Sequence, residues 1–313
     1  MFSKKITFLF FLLICSYSIA QNGTGQSYKI DRGNSIYLPL GKISFADKLL
    51  DFKVGNPAPI KKYRDSLQCL HEPNYKYYRD PTFMSLGCGG VLTVAFTDNG
   101  FMNLKGNDLY IFEVGPSREA AKIEISENGI DWLYAGKIAG GKSAIELSDQ
   151  KISSEIVFYY LRIIDLKELC KSMSAGADID AIAAINSVIK LTINGDVLFD
   201  VDQSILKESA NKTLDSLANT IKKVDKATIL IEGHTDSDAS DDYNLKLSKK
   251  RCNSVMAKLK SLFDENAMYD YEIKAHGEKK PRVPNTTVEN KQMNRRVEIT
   301  VLPPKDYYKT ISD

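Results

Sequence analysis

The stretch Ile231 to Arg251, IEGHTDSDASDDYNLKLSKKR, decides the reading of this chain. An apolar strand runs into Gly233-His234-Thr235-Asp236, a polar loop follows, and a helix then carries Asn244, Ser248 and Arg251. Asp236 falls just past the strand end, where rigid backbone can aim a carboxylate outward. Asn244 and Arg251 are two helical turns apart and project from nearly the same face, about 10 Å from each other. Arg251 presents a planar fork of donors suited to a carboxylate, and Asp236 is an acceptor suited to an ammonium. The helix start near Asp241 to Asn244 adds backbone donors for an anion. Together these groups form a site for a zwitterion. The same two side chains can also pair with each other and tie loop to helix.

Outward from that stretch, strands alternate with long helices. Leu191 to Phe199 is strand-like, and Leu206, Ala210, Leu214, Leu217, Ile221 and Val224 recur at spacings of three and four, one face of a helix. Thr228 to Thr235 is a second strand. Leu245, Ser248, Cys252, Val255, Met256, Leu259 and Phe263 form the inward stripe of the next helix, and Tyr271 to Ala275 and Arg296 to Leu302 supply two more strands. The pattern predicts a compact α/β sandwich of order βαβαββ over residues 191–303, two helices against one sheet, followed by a flexible tail, 304–313.

Toward the amino terminus the texture changes. Brief alternating runs at Val91 to Phe96, Leu109 to Val114, Ala121 to Ser126, Asp131 to Ala135, Ala144 to Leu147 and Ile156 to Ile164 are separated by turn signals such as Asp98-Asn99-Gly100 and Glu127-Asn128-Gly129. Short strands with no helix between them predict an all-β jelly-roll sandwich over residues 28–186. Ser85-Leu86-Gly87-Cys88-Gly89-Gly90, Asn107 to Glu113, Ser126 to Trp132 and Gly176 to Ala181 resemble the discoidin-like, galactose-binding-type jelly rolls of bacterial surface proteins. In this domain Asp108, Glu113, Asp178 and Asp180 offer the hard oxygens that calcium prefers, although loop aspartates more often only shape turns. Tyr75, Tyr77, Tyr78 and Trp132 offer rings that can stack on a glycan, or simply pack.

Four motifs in register carry a second resemblance. Val197 to Asp202, Gly233 to Asp236, Asn244 with Leu247-Ser248 and Arg251, and Asn294 to Ile299 are similar in order and spacing to the OmpA-like peptidoglycan-binding domain. The resemblance implies noncovalent binding of the stem-peptide diaminopimelate by Asp236 and Arg251, with Phe199, Asp200, Thr235, Asn244 and Arg295 at other positions near that ligand. Diaminopimelate ends in a zwitterion, which is the chemistry read from the residues themselves. Three departures stand out: Ala239 replaces a usual glycine, Cys252 replaces a small alanine, and Asp238, Asp241 and Asp242 make the loop acidic. Cys252 lies on the packed stripe and reads as a core residue, not a nucleophile. His234 reads as a hydrogen-bonding turn residue.

The ends and the composition bound the function. Lys4-Lys5, the apolar run Ile6 to Cys15 and Ser18-Ile19-Ala20 read as a secretory signal peptide, residues 1–20, cut after Ala20. Of 42 basic and 40 acidic side chains, the cut removes Lys4 and Lys5, so the remainder is electrically balanced and nothing favours nucleic acid. Cys69, Cys88, Cys170 and Cys252 remain; export permits disulfides, and a Cys69–Cys88 bridge is the preferred pairing. No transmembrane segment is expected after cleavage. No GxSxG, HExxH or Cys/His nucleophile set is present, so the chain reads as a non-enzyme that needs no cofactor. The expectation is an envelope protein of the periplasm or outer membrane, with peptidoglycan as partner and a glycan or envelope protein for the first domain. The alternative is a carbohydrate-binding adhesin that the second domain merely tethers.

Overall fold

The computed structural model describes residues 25–30, 33–77, 80–115, 119–140, 143–168 and 170–311. The expected signal peptide and Tyr78 lie outside them.

The amino-terminal part carries β1 (Gln26–Lys29), β2 (Ser35–Leu38), β3 (Lys48–Lys53), β4 (Met84–Ser85), β5 (Val91–Ala95), β6 (Gly100–Phe101), β7 (Leu109–Glu113), β8 (Ala121–Ser126), β9 (Leu133–Ile138), β10 (Ala144–Ile145), β11 (Tyr160–Asp165) and β12 (Asp178–Ala184). Two antiparallel sheets, ordered β3-β5-β11-β8-β9 and β10-β7-β12-β4, face each other. Alternation does the work: Leu92 and Val94, Ile123 and Ile125, and Leu161 and Ile163 point inward from one sheet, against Leu109, Ile111, Ile179 and Ile182 of the other. The β1-β2 hairpin covers the outside of the second sheet, with Tyr28 edge-on to Phe45 and a third ring, Phe112, beside both.

The bridge in this sandwich joins Cys88 to Cys170, not Cys69 to Cys88. Cys69 ends a short 3-10 turn, donates its thiol to Ser66 O at 3.1 Å and is sealed in the core. Among the described residues no other cysteine is bonded to it there, whereas Cys88 meets the segment after β11.

The carboxy-terminal part runs β13 (Ser187–Asn194), α1 (Gly195–Leu198), α2 (Ala210–Ile221), β14 (Lys226–His234), α3 (Asp241–Leu262), β15 (Met268–Gly277), α4 (Val288–Asn294), β16 (Arg296–Leu302) and α5 (Lys305–Thr310). β14 is parallel to β15 and antiparallel to β16, and β16 is antiparallel to β13. Leu214, Leu217 and Ile221 of α2 and Cys252, Val255 and Leu259 of α3 cover one face of this sheet, on Ile229, Ile231, Val297 and Ile299. Three short helices, α1, α4 and α5, depart from the expected order. The Leu191 to Phe199 strand stops at Asn194, whose side chain accepts the Asp196 N–H at 2.8 Å and caps α1. Thr287 caps α4 in the same way, through the Asn290 N–H at 3.1 Å.

The two parts are fused without a linker. After β12, Asn186 is fully buried and gives its side-chain amide to Asp108 at 2.7 Å, and β13 begins at once. β13 then pairs with β6 of the sandwich, so the sheet order is β15-β14-β16-β13-β6. Leu40 and Ile43 also belong to the carboxy-terminal core. The tail expected to be flexible is instead docked through residue 311: α5 holds Asn186 through the Tyr308 hydroxyl at 3.0 Å, Glu272 through Lys305 at 2.7 Å, and Lys226 through Asp306.

Candidate functional site

β14 ends at His234, and Thr235 is tied by its N–H to Gly277 O at 2.9 Å, which fixes where Asp236 leaves the sheet. α3 starts five residues after Asp236 and packs tightly on β14. A Cβ on Gly233 would fall 2.6 Å from Cys252 Sγ and 2.7 Å from Ser248 O, so only glycine lets the helix approach. The Ser248 hydroxyl accepts the Gly277 N–H at 3.1 Å and locks helix to β15. Cys252 is buried in this contact, and burial pushes its thiol pKa up to about 12. That is a packed side chain, as expected.

Asp236, Arg251, Thr235, Asn244 and Arg295 all line one cavity of about 270 Å³. Arg251 does not pair with Asp236. Its Nε donates to Gln203 O at 2.9 Å and its Nη2 to Asp200 O at 3.4 Å, while the guanidinium lies 5.1 Å from the Phe199 ring centre. Burial lowers the Arg251 pKa, and Asp196, Asp202 and Asp236 pull it the other way. Asp236 is held from the opposite wall, where Arg295 Nη1 donates to its Oδ2 at 2.7 Å. Arg295 also forks onto Asp196 at 3.0 and 2.9 Å, which lowers the Asp196 pKa and raises its own. The Thr235 hydroxyl is buried in this wall and meets no hydrogen-bond partner among the described residues.

Asn244 plays a different part from the one its position beneath Arg251 implied. Its amide donates to Asp236 O at 3.1 Å, Ala239 O at 3.2 Å and Glu278 Oε2 at 2.6 Å, so it braces the loop. Phe199 is buried beneath Arg251, and Asp200 contributes a carbonyl while its carboxylate reaches Lys207 at 3.5 Å. Asp196, Asp202 and Glu278 were missed. Nothing local marks them: they reach the site only through α1, a left-handed residue at Asp202 (φ 58°) and the turn after β15.

The departures in the loop have structural explanations. Ala239 is not among the residues with positive φ, so the missing glycine costs no strain. Asp238 pairs with Lys291, while Asp241 and Asp242 occupy the first turn of α3 behind the Ser240 cap, where the helix dipole favours acids.

His234 proves to be a strand residue, not a turn residue. It closes β14 on the sheet face away from the helices, stacked on His276 at 4.9 Å. The calcium set is not assembled. Asp108 accepts from Leu104 N, Leu147 N and the Asn186 amide, at 2.9, 2.8 and 2.7 Å, and Asp180 accepts from Asn74 N and Tyr75 N, at 3.1 and 3.2 Å. Asp178 takes the Ser85 hydroxyl at 2.5 Å and Glu113 that of Ser143. Burial pushes Asp108 and Asp178 up to about 7. Among the described residues no group of three or more His, Cys, Asp or Glu is placed to hold a metal ion. The aromatic residues are dispersed too: Tyr75 packs edge-on to Phe83, Trp132 lies under the Arg162 guanidinium at 3.8 Å, and Tyr77 is exposed.

A model of the OmpA family matches residues 198–295, which span the whole of this cavity except Asp196. These residues are an OmpA family domain. The chain is 39% identical over 114 residues to outer membrane protein A of Bordetella avium, covering 36% of this chain and 57% of that one. To outer membrane porin F of Pseudomonas aeruginosa it is 34% identical over 143 residues, 44% of this chain and 39% of that one. The chain thus spans about half the length of these relatives. A solved structure, the cell wall anchor of the T6SS from Pseudomonas aeruginosa, is 30% identical, with 39% of this chain and 85% of that one covered and a TM-score of 0.31. No helix among the described residues is long and apolar enough to cross a membrane.

Proposed function

We propose that the carboxy-terminal domain binds peptidoglycan noncovalently and anchors the β-sandwich at the cell envelope. The ligand group is the free amino-acid end of a stem-peptide diaminopimelate, its carboxylate on Arg251 and its ammonium on Asp236. One observation carries this: Arg251 and Asp236 share a cavity yet are each held by other groups, so neither neutralises the other. Arg251 is fixed by carbonyls and a ring, which position its charge without cancelling it. Asp236 keeps lone pairs beyond those given to Arg295 and to the Asp238 N–H at 3.3 Å. The buried Thr235 hydroxyl supplies a further polar contact. Membership of residues 198–295 in the OmpA family supports the same reading.

The reading is of a binding protein, not an enzyme. Because β6 and β13 share a sheet, a sandwich tethered this way stands in a fixed orientation on the wall. The discoidin-like resemblance makes the sandwich a module for a glycan or an envelope protein. Co-sedimentation of the protein with purified cell wall tests the anchoring: Asp236→Ala and Arg251→Ala should each leave it in the supernatant, and sedimentation equal to the parent by both variants rules the mechanism out.

A further inference from the structure

Opposite the helix-covered face, the carboxy-terminal sheet meets the sandwich across a second cavity, of about 420 Å³. One wall is Met102, Leu104, Glu155 and Val157 of the sandwich. The other is built by the strand period: Leu230, Glu232 and His234 alternate along β14, and Arg296, Glu298 and Thr300 along β16, with His234 opposite Arg296 and Glu232 opposite Glu298. Lys190 stands opposite Thr300 from β13, and Lys274 beside Glu232 from β15. A sheet face covered by another domain is cheapest when apolar, and charges kept there need a reason.

The carboxylates in this seam already have partners. Glu298 takes Arg296 at 2.6 Å and Lys190 at 2.8 Å, Glu155 takes Lys280 at 2.6 Å, and Glu232 takes His276 at 2.9 Å. Four cations (Lys190, Lys274, Lys280, Arg296) face three carboxylates (Glu155, Glu232, Glu298), a surplus of one positive charge. His234 is 4% exposed and lines the cavity; its ring lies beside the Lys280 backbone, but neither ring nitrogen completes a hydrogen bond of good geometry among the described residues. What this wall lacks is an acceptor with negative charge.

We propose that the seam is a second ligand site, which takes a small oxyanion, a carboxylate or a phosphate, between the two domains. The oxyanion accepts the His234 N–H and sits in the field of Arg296, Lys190 and Lys274.

The test is a titration of the protein with sodium acetate and, separately, with inorganic phosphate, followed through the ring resonances of His234 and His276. One arm or both should give saturable shifts, and the arm that saturates identifies the source. Lys274→Ala, at the exposed rim, should weaken binding about fivefold or more, and His234→Phe should abolish the response at His276. Arg251→Ala, in the other cavity, should leave it unchanged. Shifts that rise linearly with salt in both arms, or a His276 response that persists in His234→Phe, would overturn the proposal and leave the seam a water-filled gap.

Discussion

Arg295 Nη1 donates to Asp236 Oδ2 at 2.7 Å, so the carboxylate that ends the loop motif before α3 is held by a residue 59 positions further on. The consequence is a division of duties: Arg295 orients the acid, and Arg251, which donates to carbonyls, is the cation that the proposed function assigns to the ligand.

Arg295→Gln should therefore weaken wall binding as strongly as Arg251→Ala while changing stability little. The Arg295 side chain is about a quarter exposed, and such pairs contribute ~1 kcal/mol or less. Isothermal titration with a diaminopimelate-containing stem peptide, run beside urea unfolding, separates the two effects.

Arg251→Lys keeps the charge but loses both the fork and the contact with Phe199. Affinity for the same peptide should fall by about tenfold or more, with no change in fold. An affinity within twofold of the parent would show that charge alone suffices.

Gly233→Ala puts a methyl group into the contact between α3 and β14, against Cys252 Sγ and Ser248 O. A loss of ~1–3 kcal/mol is expected on urea unfolding. Adding Cys252→Ala should recover part of it, because one of the two obstructing atoms goes and the backbone oxygen stays.

Stability should carry an acid-sensitive component from His234. Burial and the neighbouring Arg296 lower its pKa to about 3, with Glu298 acting the other way and His276 adding to the decrease. The unfolded chain takes up the proton near 6.5 and the native protein does not, so this stability is present above 6.5 and is lost as pH falls toward 3. Relative to His234→Phe, the parent should lose about 2 kcal/mol between pH 7.5 and 5. Parallel stability curves for the two proteins would refute this.

Cys88→Ser should destabilise the protein by ~2–4 kcal/mol, since the bridge to Cys170 closes a loop of 82 residues. Mapping of non-reduced peptides should recover Cys88 with Cys170 and leave Cys69 and Cys252 alkylatable only after unfolding.

Much of the carboxy-terminal half is legible in its residues because its signals are local. Helical spacing from Leu206 to Val224 and from Leu245 to Phe263, alternation along Thr228 to Thr235, and an acid and a base placed by strand end and helix turn all act over a few residues. The alternating runs of the sandwich are legible for the same reason, and the inward rows Leu92 and Val94, Ile123 and Ile125 realise them. Three things were set only when distant segments packed. The partner of Asp236 depends on where β16 begins, the partner of Cys88 on which loop crosses the end of the sandwich, and the docking of α5 on Asn186 between two domains. Each is a contact between residues at least 59 apart in the chain, where no periodicity reaches. His234 shows the same limit: in Gly-His-Thr-Asp it reads as part of the loop, but the pleat turns its ring to the opposite face, into a seam that exists only because the sandwich closes over the sheet.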